Sequence, residues 1–125
     1  MKAKTILLLT MAILLIAAAC GPEHVTNGGT KEFTFEVTDN DGNVTSQTVR
    51  TEETTVGAAL VEAGLIEGDD SDFGLMVHHV NGLRADYVLD GAWWAFYIDG
   101  EMAMAGVDST DIEEGVIYAF IYTEA

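Results

Sequence analysis

Two stretches near the C-terminus, Ala92–Ile98 and Val116–Thr123, carry large apolar side chains on both faces of an extended backbone. Alternate side chains of a strand point to opposite faces. In the first stretch Trp94, Phe96 and Ile98 share one face, and Trp93, Ala95 and Tyr97 share the other. In the second, Ile117, Ala119 and Ile121 oppose Tyr118, Phe120 and Tyr122. A sheet with one solvated side needs only one apolar face. Whatever these strands build must therefore be covered twice, or must offer one face to a partner. That demand constrains the fold more than any other feature of the chain.

The remaining elements suggest what does the covering. Phe33, Phe35 and Val37 alternate with polar neighbours, the two-residue period of a half-buried strand. Asp39-Asn40-Asp41-Gly42-Asn43 is a turn, and Val44 to Thr51 returns as the second strand of a hairpin. Thr54 or Thr55 can cap a helix over Val56–Ala63, with Gly64 placed to end it. Val56, Ala59, Leu60 and Ala63 make a single apolar stripe along it. Gly57 weakens this helix by roughly 1 kcal/mol, so docking must supply much of its stability. Glu67–Asp72 reads as an acidic loop, Leu75–Val80 as a strand, Asn81-Gly82 as a turn, and Asp99-Gly100 as a type I′ hairpin turn. Met102–Val107 reads as irregular and Asp108–Glu114 as a capped single turn.

This order predicts an α+β fold, a β-grasp-like mixed sheet of about five strands with one short helix packed on one face. The aliphatic face of the last strand suits the helix stripe, which leaves Trp93, Tyr97, Tyr118, Phe120 and Tyr122 facing elsewhere. Such a surface either binds a ligand or partner or is covered by the chain's own loops, Met102 and Met104 included.

The N-terminus is built differently. Lys2 and Lys4 precede an apolar run from Ile6 to Ile16, followed by Ala17-Ala18-Ala19-Cys20. This resembles a bacterial lipoprotein signal, with Ala17 where that family usually has Leu. The run is shorter than the about 20 residues a spanning helix needs. The resemblance implies cleavage before Cys20, a diacylglycerol on its sulfur, and attachment to the extracytoplasmic side of the cell membrane. Residues 1–19 are then a signal peptide, 20–31 a lipidated tether, and 32–125 the domain. The polar, glycine-rich tether reaches at most roughly 40 Å at about 3.5 Å per residue. Cys20 is the only cysteine, so its acylation leaves no internal disulfide.

Charge narrows the partners. Asp and Glu number 21 against five Lys and Arg, a formal net charge of −16. Such a surface repels phosphate backbones, and nucleic acid is not expected. The acidity serves solubility, or adaptation to a salty or alkaline exterior, or recruits cations or a basic partner. Adjacent residues on a strand diverge, so His78 and His79 are not expected to chelate one ion together. Asp39–Asn43 departs from a calcium loop, whose sixth and twelfth places here hold Val44 and Arg50. The 67–72 segment has acidic groups without a recognised ligand spacing, and no metal site is expected. No nucleophile elbow or phosphate-cradling glycine pattern is present, so the chain reads as a binding protein without a cofactor of its own.

From about Thr55 the chain carries Thr55-Val56-Gly57-Ala58-Ala59-Leu60-Val61-Glu62-Ala63-Gly64-Leu65, Val80-Asn81-Gly82, Trp94-Ala95-Phe96-Tyr97-Ile98-Asp99-Gly100, Ala105-Gly106-Val107 and Glu114-Gly115-Val116. These segments resemble a bacterial domain family of unassigned function that is related to the C-terminal β-domain of transcobalamin and intrinsic factor. The resemblance implies a β-grasp-like fold and a small-molecule ligand, with a corrinoid such as cobalamin as the specific candidate, captured or presented to a transporter. In the vertebrate relatives this domain closes over a corrinoid held by a separate helical domain, and no such helical domain is expected within this sequence. The resemblance places Trp94 and Phe96 on the motif's aromatic strand and Val107 at the step after its hairpin. Alternation leaves open whether Trp93 or Trp94 meets a ligand. The alternative is an envelope protein-interaction module with no small-molecule ligand.

Overall fold

The computed structural model describes residues 24–26 and 29–125. The expected signal peptide and Cys20 lie outside these residues. In chain order the elements are β1 (His24–Thr26), β2 (Lys31–Thr38), β3 (Val44–Thr51), α1 (Val56–Glu62), β4 (Ile66–Ser71), β5 (Gly74–Val80), β6 (Leu83–Arg84), α2 (Tyr87–Asp90), β7 (Ala92–Ile98), β8 (Glu101–Met102), a 3-10 turn (Val107–Ser109) and β9 (Ile117–Glu124). The fold is α+β. A six-stranded mixed sheet has the order β1-β3-β2-β9-β7-β8, and β4-β5-β6 form a second, three-stranded sheet.

The hairpins form where turn chemistry puts them. Asp99 and Gly100 both have positive φ (48° and 84°), the geometry of a type I′ turn. Asn81 and Gly82 repeat it between β5 and β6, at 50° and 79°. Asp39 Oδ1 accepts from the Asp41 and Asn43 amides. Those bonds, that from Asn43 first, hold its carboxyl below the usual range. Thr55 caps α1 by accepting from the Ala58 amide at 3.2 Å. The helix is shorter than expected, ending at Glu62, with the chain leaving through a left-handed Gly64. Gly57 has a packing reason: a Cβ there would stand 2.8 Å from the Asp108 Cα of the 3-10 turn.

Three expectations are corrected. Glu67–Asp72, expected as a loop, is largely strand β4, paired antiparallel with β5. His24–Thr26, expected as tether, pair parallel with β3. Above all, the inner face of β9 is the aromatic one. Parallel pairing sets Phe35 beside Tyr118 and Val37 beside Phe120, while antiparallel pairing sets Trp94 beside Tyr122 and Phe96 beside Phe120. These rings, with Phe33, face α1's Val56, Ala59 and Leu60 in one core. The second sheet supplies the cover that one helix could not, through Ile66, Val80 and the partly buried Leu75, Val77 and Leu83. The aliphatic Ile117, Ala119 and Ile121 lie on the outer face instead, with Trp93, Ala95 and Tyr97.

Candidate functional site

Where the two sheets meet, β5 and β7 leave an apolar crevice of about 190 Å³ lined by Leu75, Met76, Val77, Trp93, Trp94, Phe96, Gly106, Val107 and Phe120. Two staples hold its walls. The Trp94 Nε1–H donates to the Leu83 carbonyl at 3.2 Å, tying β7 to the second sheet. Asp108 Oδ2 accepts from the Leu75 amide at 3.1 Å, tying the 3-10 turn to β5. Gly74 makes room for the second staple, since its φ is 95° and a Cβ there would come within 2.7 Å of Asp108 Oδ1. That Oδ1 is buried and has no hydrogen-bond partner among the described residues.

Exposed apolar side chains lie on or next to the segments that line the crevice. Phe73 is 91% exposed, Met76 more than half exposed and Met104 fully exposed. Phe73 lies against Gly106, its carbonyl 3.9 Å from the position of a Cβ there. Exposed apolar groups clustered around a cleft mark a binding surface. A larger groove of about 820 Å³ runs between α1 and β4, lined by small residues, the aliphatic Val61, Ile66 and Leu75, and the acids Glu62, Glu67, Asp70 and Asp108. It has no aromatic wall.

The expected site residues divide into two groups. Trp94, Phe96 and Val107 come together at the crevice, and Trp93, whose side chain shares the outer face with Ala95 and Tyr97, stands at its edge. Trp93 is 44% exposed, whereas Trp94 and Val107 are buried walls. Tyr118, Tyr122 and Tyr97 do not join them. Tyr118 is 1% exposed; its hydroxyl accepts from the Glu113 amide at 2.9 Å and donates to the Asp111 carbonyl at 3.2 Å. Burial, more than any neighbour, pushes its phenol up. It is a core anchor for the loop before β9. Tyr122 packs edge-on against Trp94 at 5.4 Å, and Tyr97 lies half-buried on the outer face. Sequence reasoning missed Leu75, Met76 and Val77, because the second sheet was not foreseen.

His78 and His79 also depart from expectation. Their rings meet edge to face, with the Nδ1 atoms 2.6 Å apart. The signal was the spacing Val77-His78-His79-Val80, in which both valines turn toward the core, contrary to alternation in an unbroken strand. Among the described residues, no group of three or more His, Cys, Asp or Glu is placed to hold a metal. Nor is any helix among them long and apolar enough to cross a membrane.

The chain is similar in fold to a Ruminococcus gnavus protein described as a "putative metal binding protein", with a TM-score of 0.72 and 23% identity over 77% of this chain and 99% of that one. It is also similar to haptocorrin in complex with Cbi, with a TM-score of 0.59 and 18% identity over 75% of this chain. The match spans a quarter, 25%, of haptocorrin. No curated protein matches. Residues 53–117 match the family described as a domain of unknown function, DUF4430, and the chain belongs to that family.

Proposed function

We propose that this protein is a small-ligand-binding domain, anchored by lipid at Cys20 on the extracytoplasmic side of the cell membrane, and that its ligand docks at the crevice between β5 and β7. The carrying observation is the crevice itself, walled by Trp94, Phe96 and Val107, bordered by Trp93 and with the exposed Met76 in its lining. The proposed role is binding rather than catalysis. A corrinoid is the specific candidate, supported by the fold shared with haptocorrin, whose matched structure holds Cbi. At about 190 Å³ the crevice is smaller than a pocket that engulfs a drug-sized ligand, about 300–1,000 Å³. A macrocycle would lie against it by one edge and leave its remaining surface for another molecule, which suits capture or presentation to a transporter.

The test is calorimetry with cobinamide on the mature chain in lipid nanodiscs. Saturable binding that Met76→Ala weakens about tenfold is expected, the order of a contact side chain exposed in the crevice lining. No heat at high micromolar cobinamide would remove the corrinoid. The anchor is tested separately: Cys20→Ala should move the protein out of the membrane fraction. A second reading, an envelope protein-interaction module, is favoured by α2, which exposes Tyr87, Val88 and Leu89 in succession. Crosslinking from Val88 to a neighbouring envelope protein, with no small-molecule binding, would select it.

A further inference from the structure

β5 contains a β-bulge. Glu67 pairs with His79, but the next residue, Gly68, pairs with Val77, leaving His78 as the extra residue. Val77 and Val80 therefore both turn inward, and the two residues between them share the outward face. This brings the imidazoles together, with Nδ1 atoms 2.6 Å apart and ring centroids 4.8 Å apart. Across the ladder on β4, Asp69 places Oδ2 3.5 Å from His78 Nε2.

We propose that His78 and His79 form a two-imidazole chelate for a divalent transition-metal ion, Cu²⁺ or Ni²⁺ in preference to Zn²⁺, bound through the two Nδ1 atoms. Metal-bound histidines commonly donate the other ring N–H to a carboxylate, which fixes the tautomer. Asp69, an ion-pair distance of 3.5 Å from His78 Nε2, favours the tautomer protonated there, which leaves Nδ1 a free lone pair. On binding, the proton shared between the two Nδ1 atoms leaves that position for His79 Nε2 or solvent. With metal–nitrogen bonds of about 2.0–2.1 Å, two ligands stand about 2.9 Å apart at a right angle and about 3.3 Å at a tetrahedral one. The observed spacing needs less opening for square-planar Cu²⁺ or Ni²⁺ than for tetrahedral Zn²⁺. With no third side chain in place among the described residues, the other positions are open to water or to donor atoms from outside. The net charge of −16 raises the cation concentration around the site. The crevice reading plays no part here, so failure to bind cobinamide leaves this proposal standing.

The experiment is Cu²⁺ titration of the mature chain in nanodiscs, followed by electron paramagnetic resonance. One ion per chain with two imidazole nitrogens in its plane is expected. His79→Ala should remove one nitrogen, and Asp69→Asn should weaken binding about tenfold. Deleting His78 restores unbroken alternation, with Val77 in, His79 out and Val80 in. That variant should keep its cooperative thermal transition and lose the two-nitrogen spectrum. His24→Ala should change nothing. An oxygen-only spectrum from surface carboxylates, or an unaltered spectrum in the His78 deletion or in His79→Ala, would overturn the proposal, as would loss of both nitrogens in His24→Ala.

Discussion

The two sheets are built on different terms. In the large one, β2, β9 and β7 pair without a register shift, and each inward ring has an aromatic neighbour. Phe33 meets Tyr118 edge-on at 5.3 Å, Phe35 meets Phe120 at 6.3 Å, and Phe96 stacks on Phe120 at 5.1 Å. The small sheet has a bulge, acidic residues along β4, and Phe73 and Met76 exposed at its turn and on β5. Its one ring pair among the described residues is the two imidazoles. The first sheet carries the fold. The second covers it, and a cover is constrained only on its inner side. Its outward face and its seam with β7 are the places free to take up binding.

This contrast can be broken by mutation. The largest effect is expected in the large sheet: Phe35→Ala, at a fully buried ring, should cost about 3–5 kcal/mol in urea unfolding. A loss no greater than that of Met76→Ala would contradict the division. Next is Trp94→Phe, which leaves the Leu83 carbonyl without its indole donor and should cost about 1–3 kcal/mol. Its increase in amide exchange should fall on β5 and β6 and spare β2 and β9. A uniform increase would mean the sheets do not separate. Thr55→Ala removes the cap of α1 and should cost about 1 kcal/mol.

The smallest expected effect concerns the exposed Arg84–Asp90 pair, whose side chains meet at 2.8 and 2.9 Å. Hydrogen bonding from Arg84 holds the Asp90 carboxyl below its usual 3.8. A carboxyl depressed in the folded state adds stability above its unfolded pKa and loses it as pH falls through the folded value. Arg84→Gln should return the Asp90 midpoint toward 3.8 in a carboxyl NMR titration and flatten that acid-side loss. An unmoved midpoint would show that Arg84 does not hold this carboxyl.

Much of the fold was legible where its signals are local. The Asp99-Gly100 and Asn81-Gly82 turns, the Thr55 cap and Gly64 all follow from backbone chemistry that neighbours do not override. β4 was not legible, since Glu67-Gly68-Asp69-Asp70-Ser71 is poor in strand formers and is held by pairing with β5. The facing of β9 was also missed. Alternation defines two faces without saying which is inner, and only the pairing of Tyr118 with Phe35 decides it. Of the expected binding residues, Trp93, Trp94 and Phe96 on β7 and Val107 reached the crevice, while Tyr97 stayed on the outer face. The tyrosines of β9 did not, because they were needed in the core. The bulge was missed as well, although two valines three residues apart, Val77 and Val80, cannot share a face of an unbroken strand.

Docking of the ligand at the seam between the sheets is best probed by amide deuterium exchange on the mature chain in nanodiscs, with and without saturating cobinamide. Protection should concentrate in 73–77 and 103–107, with 117–121 unchanged. Protection confined to Tyr87–Leu89 or to the outer face of β9, or none at all, would contradict it.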